Sequence, residues 1–361
     1  MRNKVLVFSF SIFIIISLVC NIVIKDNSVS KSERRTLQTF PKANAENVLN
    51  GEFFMKFDNY VNDQVVKRDE FRKIKSLVSK NIFMNKDNNG LYVIGDHIFK
   101  LEYPYNKEGL MKTINKINNV YNNYLNNNNV YYAIIPDKNY YADGNYLKLD
   151  YNDMIKTINN NFEFKYIDIL NDLELSDYYY TDPHIRQNCF NDVVKTLIQG
   201  MNNEYFDVYN YENKFNNFYG SYYSQLGLSN KSDEMVYLTN KYINNVTVTY
   251  LENKNLHTVY NLSKYNEMDP YDIFLDGATA LVNIVNNESN NEKELIVFRD
   301  SFGSSIAPLL IPYYKKITLV DLRYLSSNLL SNYIEFNDQD VLFLYSTLIY
   351  NTNILKWLVI K

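Results

Sequence analysis

The 361-residue chain predicts an α/β architecture: a parallel sheet flanked by helices, with a β-rich insertion and an N-terminal transmembrane anchor. Three observations carry that prediction. Short apolar runs alternate with helix-length stretches on both sides of residues 205–275, that middle stretch turns to alternating and β-branched residues, and an uncharged apolar run opens the chain. Apolar strands separated by helices imply a parallel sheet covered on both faces.

Taken in order, Arg2 and Lys4 precede an apolar run from Val5 to Ile24 broken only by Ser9, Ser11, Ser17 and Asn21. A helix rising about 1.5 Å per residue over that length crosses a hydrocarbon core about 30 Å thick. The run lacks a small-residue cleavage pattern, and bulky Val19 precedes Cys20, so residues 1–25 read as an uncleaved signal anchor rather than a cleaved leader or a lipoprotein signal. The basic start places that end in the cytoplasm and residues from about 26 onward outside it. Residues 26–50 form a polar lead-in, and the domain occupies 51–361.

Phe53, Phe57, Tyr60 and Val61, then Phe71, Ile74, Leu77 and Val78, recur at helical spacing. Leu91 to Phe99 reads as a hairpin turning at Gly95-Asp96, with His97 in it as a strand or turn residue. Helices over 107–125 and 151–162 alternate with strands over 130–135 and 165–170, and a third helix follows His184. In the insertion, 235–238 and 246–250 are strands, and the region is expected to pack over one end of the sheet as a lid or substrate wall. Strands return at 295–298, 317–320 and 341–345, each followed by a helix. His257 in the insertion has no adjacent carboxylate or cysteine and reads as a surface or packing residue.

Composition narrows the function. With 46% hydrophobic residues and a net charge of −4, the chain can bury a large core and has no polybasic character for nucleic acid. Cys20 in the anchor and the distant Cys189 cannot pair, and three scattered histidines make no zinc-like set, so neither a disulfide, a metal nor a cofactor is expected. The 34 tyrosines and many asparagines are given no functional weight.

Two short segments hold the chemistry. Tyr180-Thr181-Asp182-Pro183-His184 offers a base with a carboxylate two residues before it, and Arg299-Asp300-Ser301-Phe302-Gly303 follows an apolar strand. A hydroxyl nucleophile needs an imidazole within hydrogen-bond reach, and the imidazole needs a carboxylate to fix its tautomer. If the first segment is extended, Asp182 and His184 point to one side, and Pro183 favours that for Asp182. A serine where a parallel strand meets a helix sits in the crevice used by open α/β sheets, beside unpaired N–H groups suited to an oxyanion. The plainer alternative is that Asp300 or Ser301 merely caps the helix.

These two segments together resemble the DHHW family of bacterial extracytoplasmic proteins, relatives of the alginate O-acetyltransferases with an SGNH-hydrolase-like domain. Ser32-Glu33-Arg34-Arg35 with Leu37 and Pro41, the stretch from Gly51 to Arg68, Pro136-Asp137-Lys138, Gly220-Ser221-Tyr222-Tyr223 and Asp321-Leu322-Arg323-Tyr324 are similar to that family's recurrent stretches. The name-giving Asp-His-His-Trp stands here as Asp182-Pro183-His184-Ile185, keeping the aspartate and the second histidine. The resemblance implies Ser301 as nucleophile, His184 as base, Asp182 as its orienting carboxylate and the Ser301 N–H among the oxyanion donors. It implies an extracytoplasmic O-acetyltransferase acting on a cell-surface or secreted polysaccharide, with a membrane-bound O-acyltransferase as acetyl donor. An acetyl esterase on the same glycans and a non-catalytic glycan-binding or assembly protein are the alternatives. Arg323 and Lys138, each after a strand, are candidates to hold an anionic glycan or support the site, and Tyr222 and Tyr324 to stack on sugar rings.

Overall fold

A computed structural model describes residues 2–30, 33–144, 146–227, 231–251, 255–256 and 258–355. His257 lies outside the described residues. The chain divides into two compact units, Met1–Asn89 with Tyr223–Ser229, and Gly90–Tyr222 with Asn230–Lys361.

The first unit opens with helix α1 (Arg2–Val23), long and apolar enough to cross a membrane and with none of its apolar span buried. A two-residue pairing of β1 (Val29–Ser30) with β2 (Arg35–Thr36) leads to α2 (Ala45–Leu49), α3 (Glu52–Gln64) and α4 (Arg68–Asn81). Asn44 and Asn47 close a reciprocal cap at the start of α2. The lead-in is tied down by charge. Arg35 binds both oxygens of Asp63 at 2.8 and 2.5 Å and reaches Glu33 at 2.8 Å, and Glu33 also accepts from Arg68 at 2.7 Å. The Arg35 guanidinium pulls the Asp63 carboxyl down to about 2.

In the second unit a hairpin, β3 (Leu91–Ile94) with β4 (His97–Lys100), comes first and turns through Gly95-Asp96. It is followed by α5 (Lys107–Tyr124), β5 (Asn129–Ile135), α6 (Tyr151–Asn161), β6 (Lys165–Tyr166) and α7 (Asn191–Gly200). Next come β7 (Tyr211–Phe218), the short α8 (Ser221–Leu226), whose residues from Tyr223 onward belong to the first unit, β8 (Asp233–Thr239), β9 (Val246–Tyr250), β10 (Asn255–Leu256) and β11 (Leu281–Asn286). The chain ends through β12 (Glu294–Arg299), α9 (Ser301–Leu310), β13 (Lys316–Val320), β14 (Asp340–Ser346) and α10 (Thr347–Tyr350).

Among the described residues eight strands form one sheet in the order β10-β9-β11-β13-β12-β14-β5-β6. The pairs from β13 through β6 are parallel, as expected, while β11, β9 and β10 extend it antiparallel. Alternate residues of each strand feed two cores. Tyr131, Ala133 and Ile135 of β5 face α7 and α9, whereas Val130, Tyr132 and Ile134 face α5 and α6. α5 meets its core through Leu110, Ile114, Ile117 and Val120, a stripe at helical period. Burying each such side chain stabilises by about 1.5–3 kcal/mol. Both Cys20 and Cys189 are free.

Three expectations need correction. The β-rich insertion is not one lid over the sheet: β9 and β10 join the main sheet, and only β7 and β8 pair as a separate hairpin. β6 is two residues long, Lys165–Tyr166, and the last residue of the expected strand, Leu170, opens a 3-10 turn to Asp172. Among the described residues β13 and β14 are followed by a 3-10 turn (Ser327–Asn332) and the one-turn α10, not by helices of crossover length.

Candidate active site

The carboxyl ends of β5, β12, β13 and β14 lead into Pro136-Asp137-Lys138, Asp300-Ser301, Asp321 and Ser346-Thr347. Ser301 is the first residue of α9. Asp300 caps that helix by accepting from the Phe302 N–H at 3.0 Å, its other oxygen accepts from the Ser346 N–H at 2.9 Å, and its carbonyl takes the Gly303 N–H at 3.1 Å. The capping role therefore belongs to Asp300 and leaves the Ser301 hydroxyl for other work. The Ser301 N–H is the helix's first, for which the helix has no internal acceptor.

The segment before α7 is a tight reversal. The Tyr179 N–H donates to the His184 carbonyl at 3.1 Å and the Arg186 N–H to Asp177 at 2.9 Å. Asp182 and His184 are thus not paired by an extended strand, as expected from their spacing, but by an Asx turn in which the His184 N–H donates to Asp182 Oδ1 at 3.2 Å. The same oxygen lies 2.5 Å from His184 Nδ1, and His184 Nε2 lies 2.8 Å from Ser301 Oγ. A buried carboxylate can only accept, so Nδ1 carries the proton and the Nε2 lone pair meets the serine hydroxyl. The structure brings Asp182, His184 and Ser301 into one hydrogen-bonded line.

What holds this line comes from the insertion, where the sequence marked Gly220-Ser221 only by family resemblance and did not mark Asp233 or Tyr271. Asp182 Oδ2 accepts from the Ser221 N–H at 2.8 Å. Thr181 is clamped by Asp233, which accepts from the Tyr180 N–H at 2.6 Å, the Thr181 N–H at 2.8 Å and the Thr181 hydroxyl at 2.5 Å. Burial raises the Asp233 carboxyl above its usual range despite those donors. The His184 ring stacks on Tyr271 with centroids 3.7 Å apart and planes 8° apart, and Phe302 closes the other approach at 4.7 Å. Tyr271 is in turn fixed by its hydroxyl, 2.8 Å from Ser305 Oγ in α9.

Gly220 is required by space. A Cβ there would stand 2.3 Å from Asp182 Cβ and 2.4 Å from the Thr181 carbonyl oxygen, inside any real contact. Gly220→Ala should push Asp182 off His184, lower the turnover of an activated acetyl ester by about tenfold or more, and destabilise by roughly 1–3 kcal/mol. Steady-state kinetics and urea unfolding check both parts. Unchanged kinetics would show that the Ser221 loop does not set the carboxylate.

The four supporting candidates divide. Lys138 is buried, its ammonium donating to the carbonyls of Ile98 at 3.0 Å and Tyr180 at 3.3 Å, so it supports the loop and cannot hold a glycan. Tyr222 is buried with its ring 5.4 Å from that ammonium, and is wall rather than stacking platform. Arg323 is locked on Asp321 by hydrogen bonds of 2.6–3.1 Å, and Asp321 also faces the fully buried Arg299 at 3.7 Å, a shared carboxylate between two cations. Tyr324 is 47% exposed beside the Arg323 guanidinium and alone of the four presents an open ring. Among the described residues no group of three His, Cys, Asp or Glu is placed to hold a metal ion.

Burial pushes the Lys138 amine down to about 7, against the pull of Asp182 and Asp233. A lysine lowered in the fold but not in the unfolded chain costs stability in full below about pH 7, and that cost fades as pH rises toward the ordinary lysine value. The stability of the wild type relative to Lys138→Met should therefore rise between pH 7 and about 9.5. Paired denaturation curves across that window check it, and a flat difference would mean the amine titrates normally.

No protein-family model matches the sequence, and no curated protein matches it significantly. Solved structures do match its fold. A DHHW family protein from Eubacterium siraeum superposes with a TM-score of 0.61 at 19% identity, covering 73% of this chain and 93% of its own. Bacillus cereus PatB1, solved with a sulfonyl adduct, gives 0.57 at 17% identity over 76% of this chain and 99% of its own. The O-acetyltransferase domain of Pseudomonas putida AlgJ superposes more loosely, at 0.45 and 12% identity, over 73% and 92%. The fold that the sequence segments implied is the one shared with the DHHW protein and PatB1.

Proposed function

We propose that this protein is a membrane-anchored, extracytoplasmic O-acetyltransferase that modifies a cell-surface or secreted polysaccharide through Ser301, His184 and Asp182. The observation that carries the reading is the line from Asp182 Oδ1 through the imidazole to Ser301 Oγ, with both links at hydrogen-bond length. In the first half-reaction Ser301 Oγ attacks the donor carbonyl as its proton passes to His184 Nε2. The Ser301 N–H and the partial positive charge at the start of α9 face the oxyanion, where one donor is worth on the order of 10²–10³ in rate. Collapse releases the donor's leaving group with that proton and leaves an acetyl ester on Ser301. A sugar hydroxyl then gives its proton to Nε2 as it attacks the ester, and collapse breaks the bond to Ser301 Oγ as Nε2 returns that proton to the serine.

The fold shared with the DHHW protein and PatB1 supports this reading, and a sulfonyl adduct on PatB1 is consistent with an activated nucleophile in such a fold. Acetyl-CoA is cytoplasmic, so a membrane-bound O-acyltransferase would deliver the acetyl group to the outer face. The test is incubation of the purified chain with an activated acetyl ester, with and without oligosaccharides. Acetylated oligosaccharide supports transfer, acetate alone supports an esterase, and absence of Ser301-dependent turnover in the folded protein rejects both. A sulfonyl fluoride should label Ser301 in the same preparation.

A further inference from the structure

We propose that α4 and the residues just after it rest on the surface of an anionic phospholipid bilayer, beside the point where α1 leaves it. The inference rests on α1 spanning that bilayer. It does not depend on the acetyl chemistry.

The first observation is an inverted helix. On α4, Phe71, Ile74 and Leu77 are 49%, 56% and 50% exposed, and Ile82, Phe83 and Met84 beyond it are 69%, 69% and 82% exposed. At about 100° per residue, Phe71, Ile74, Leu77 and Ile82 share an arc roughly 140° wide. The opposite side is the packed one, where Ser76 is buried with its hydroxyl 3.0 Å from the Leu226 carbonyl. A helix that hides its serine and shows its phenylalanine to solvent is missing a partner.

The second observation is charge. Residues 67–86 carry seven basic and two acidic side chains in a chain whose net charge is −4; Arg68 and Arg72 pair with Glu33, while Lys73, Lys75, Lys80 and Lys86 are exposed. Lys73 and Lys75 flank the apolar arc. Protein interfaces are depleted of lysine, whereas a basic rim around an apolar stripe suits a helix lying in an anionic headgroup layer.

The third is position. The Val66 N–H donates to Asn21 Oδ1 at 2.9 Å, and Gln64 makes two 3.0 Å hydrogen bonds with the backbone of Asn27. Asn21 lies in the last turn of α1, so the start of α4 is pinned where the span ends. Phe71 follows within about 8 Å of helical rise, so the apolar arc begins at the level of the headgroups.

The experiment uses the full chain with Cys20 and Cys189 replaced by serine, reconstituted in vesicles of equal parts phosphatidylglycerol and phosphatidylcholine. Nitroxides are placed one at a time through Phe71→Cys, Ile74→Cys, Leu77→Cys, Lys80→Cys and Phe13→Cys, and circular dichroism confirms folding of each. Nickel-chelate accessibility at 71, 74 and 77 is expected to fall about threefold or more below that at 80, with oxygen accessibility moving the other way. Equal, water-like values at all four α4 sites with Phe13 deep in hydrocarbon overturn the docking and leave the span standing; a water-like Phe13 removes the span and the inference together. Lys73→Glu with Lys75→Glu, or vesicles of phosphatidylcholine alone, should lift Ile74→Cys back toward the Lys80→Cys value. Protection indifferent to both changes overturns the anionic surface as its cause. Protection found only in native membranes and not in vesicles assigns the face to a protein and overturns the lipid reading.

Discussion

Ser301→Ala is expected to lower kcat/KM for an activated acetyl ester by roughly 10⁴-fold or more. The hydroxyl is half-buried and its geometric role is the 2.8 Å contact with His184 Nε2, while the helix cap is made by Asp300. Its removal should therefore leave unfolding within about 0.5 kcal/mol of wild type. That separation between activity and stability is the sharp part. A variant that keeps a tenth of the turnover, or that a sulfonyl fluoride labels as readily as wild type, would remove Ser301 from the nucleophile's role.

Asp182→Asn should cost on the order of 10³–10⁴ in kcat. The Ser221 N–H needs an acceptor at the Oδ2 position, so the asparagine oxygen is drawn there and its amide NH₂ turns toward His184. Nδ1 must then accept, which moves the ring proton to Nε2 and points a donor at Ser301 Oγ. The same NH₂ would also face the His184 backbone N–H that Asp182 Oδ1 now receives. A stability loss of about 1–3 kcal/mol should accompany the kinetic one. Kinetics and denaturation on the same sample check both, and near-normal kcat would show that the imidazole does not rely on this carboxylate for its tautomer.

Much of the hydrogen-bonded line from Asp182 to Ser301 was readable in the sequence because it depends on rare residues and local pattern. With three histidines in the chain, one sits two residues after an aspartate, and a serine follows an apolar run at a strand-to-helix junction. The supports were not readable from local pattern. Gly220, Asp233 and Tyr271 act on Asp182, Thr181 and His184 across 38, 52 and 87 residues, and no periodicity marks a residue whose only role is to fill or clamp at such a distance. Strand β11 also escaped, since Asn283 and Asn286 interrupt its apolar pattern, yet Asn283 meets Thr318 on the neighbouring strand and Asn286 donates to the Ile311 carbonyl. Lys138 illustrates the remaining limit. Its place after a strand was legible, but its burial beneath the loop was set by the β3–β4 hairpin and Tyr222 closing over it.

Asp300 binds one amide in α9 and another at the end of β14 with the two oxygens of a single carboxylate. A slip of β12 against β14 would therefore have to uncap the helix that carries Ser301. The Ser301 hydroxyl borrows its mechanical tolerance from the whole central sheet rather than from its own loop, so even remote damage to the register of that sheet would be felt at the serine as misalignment.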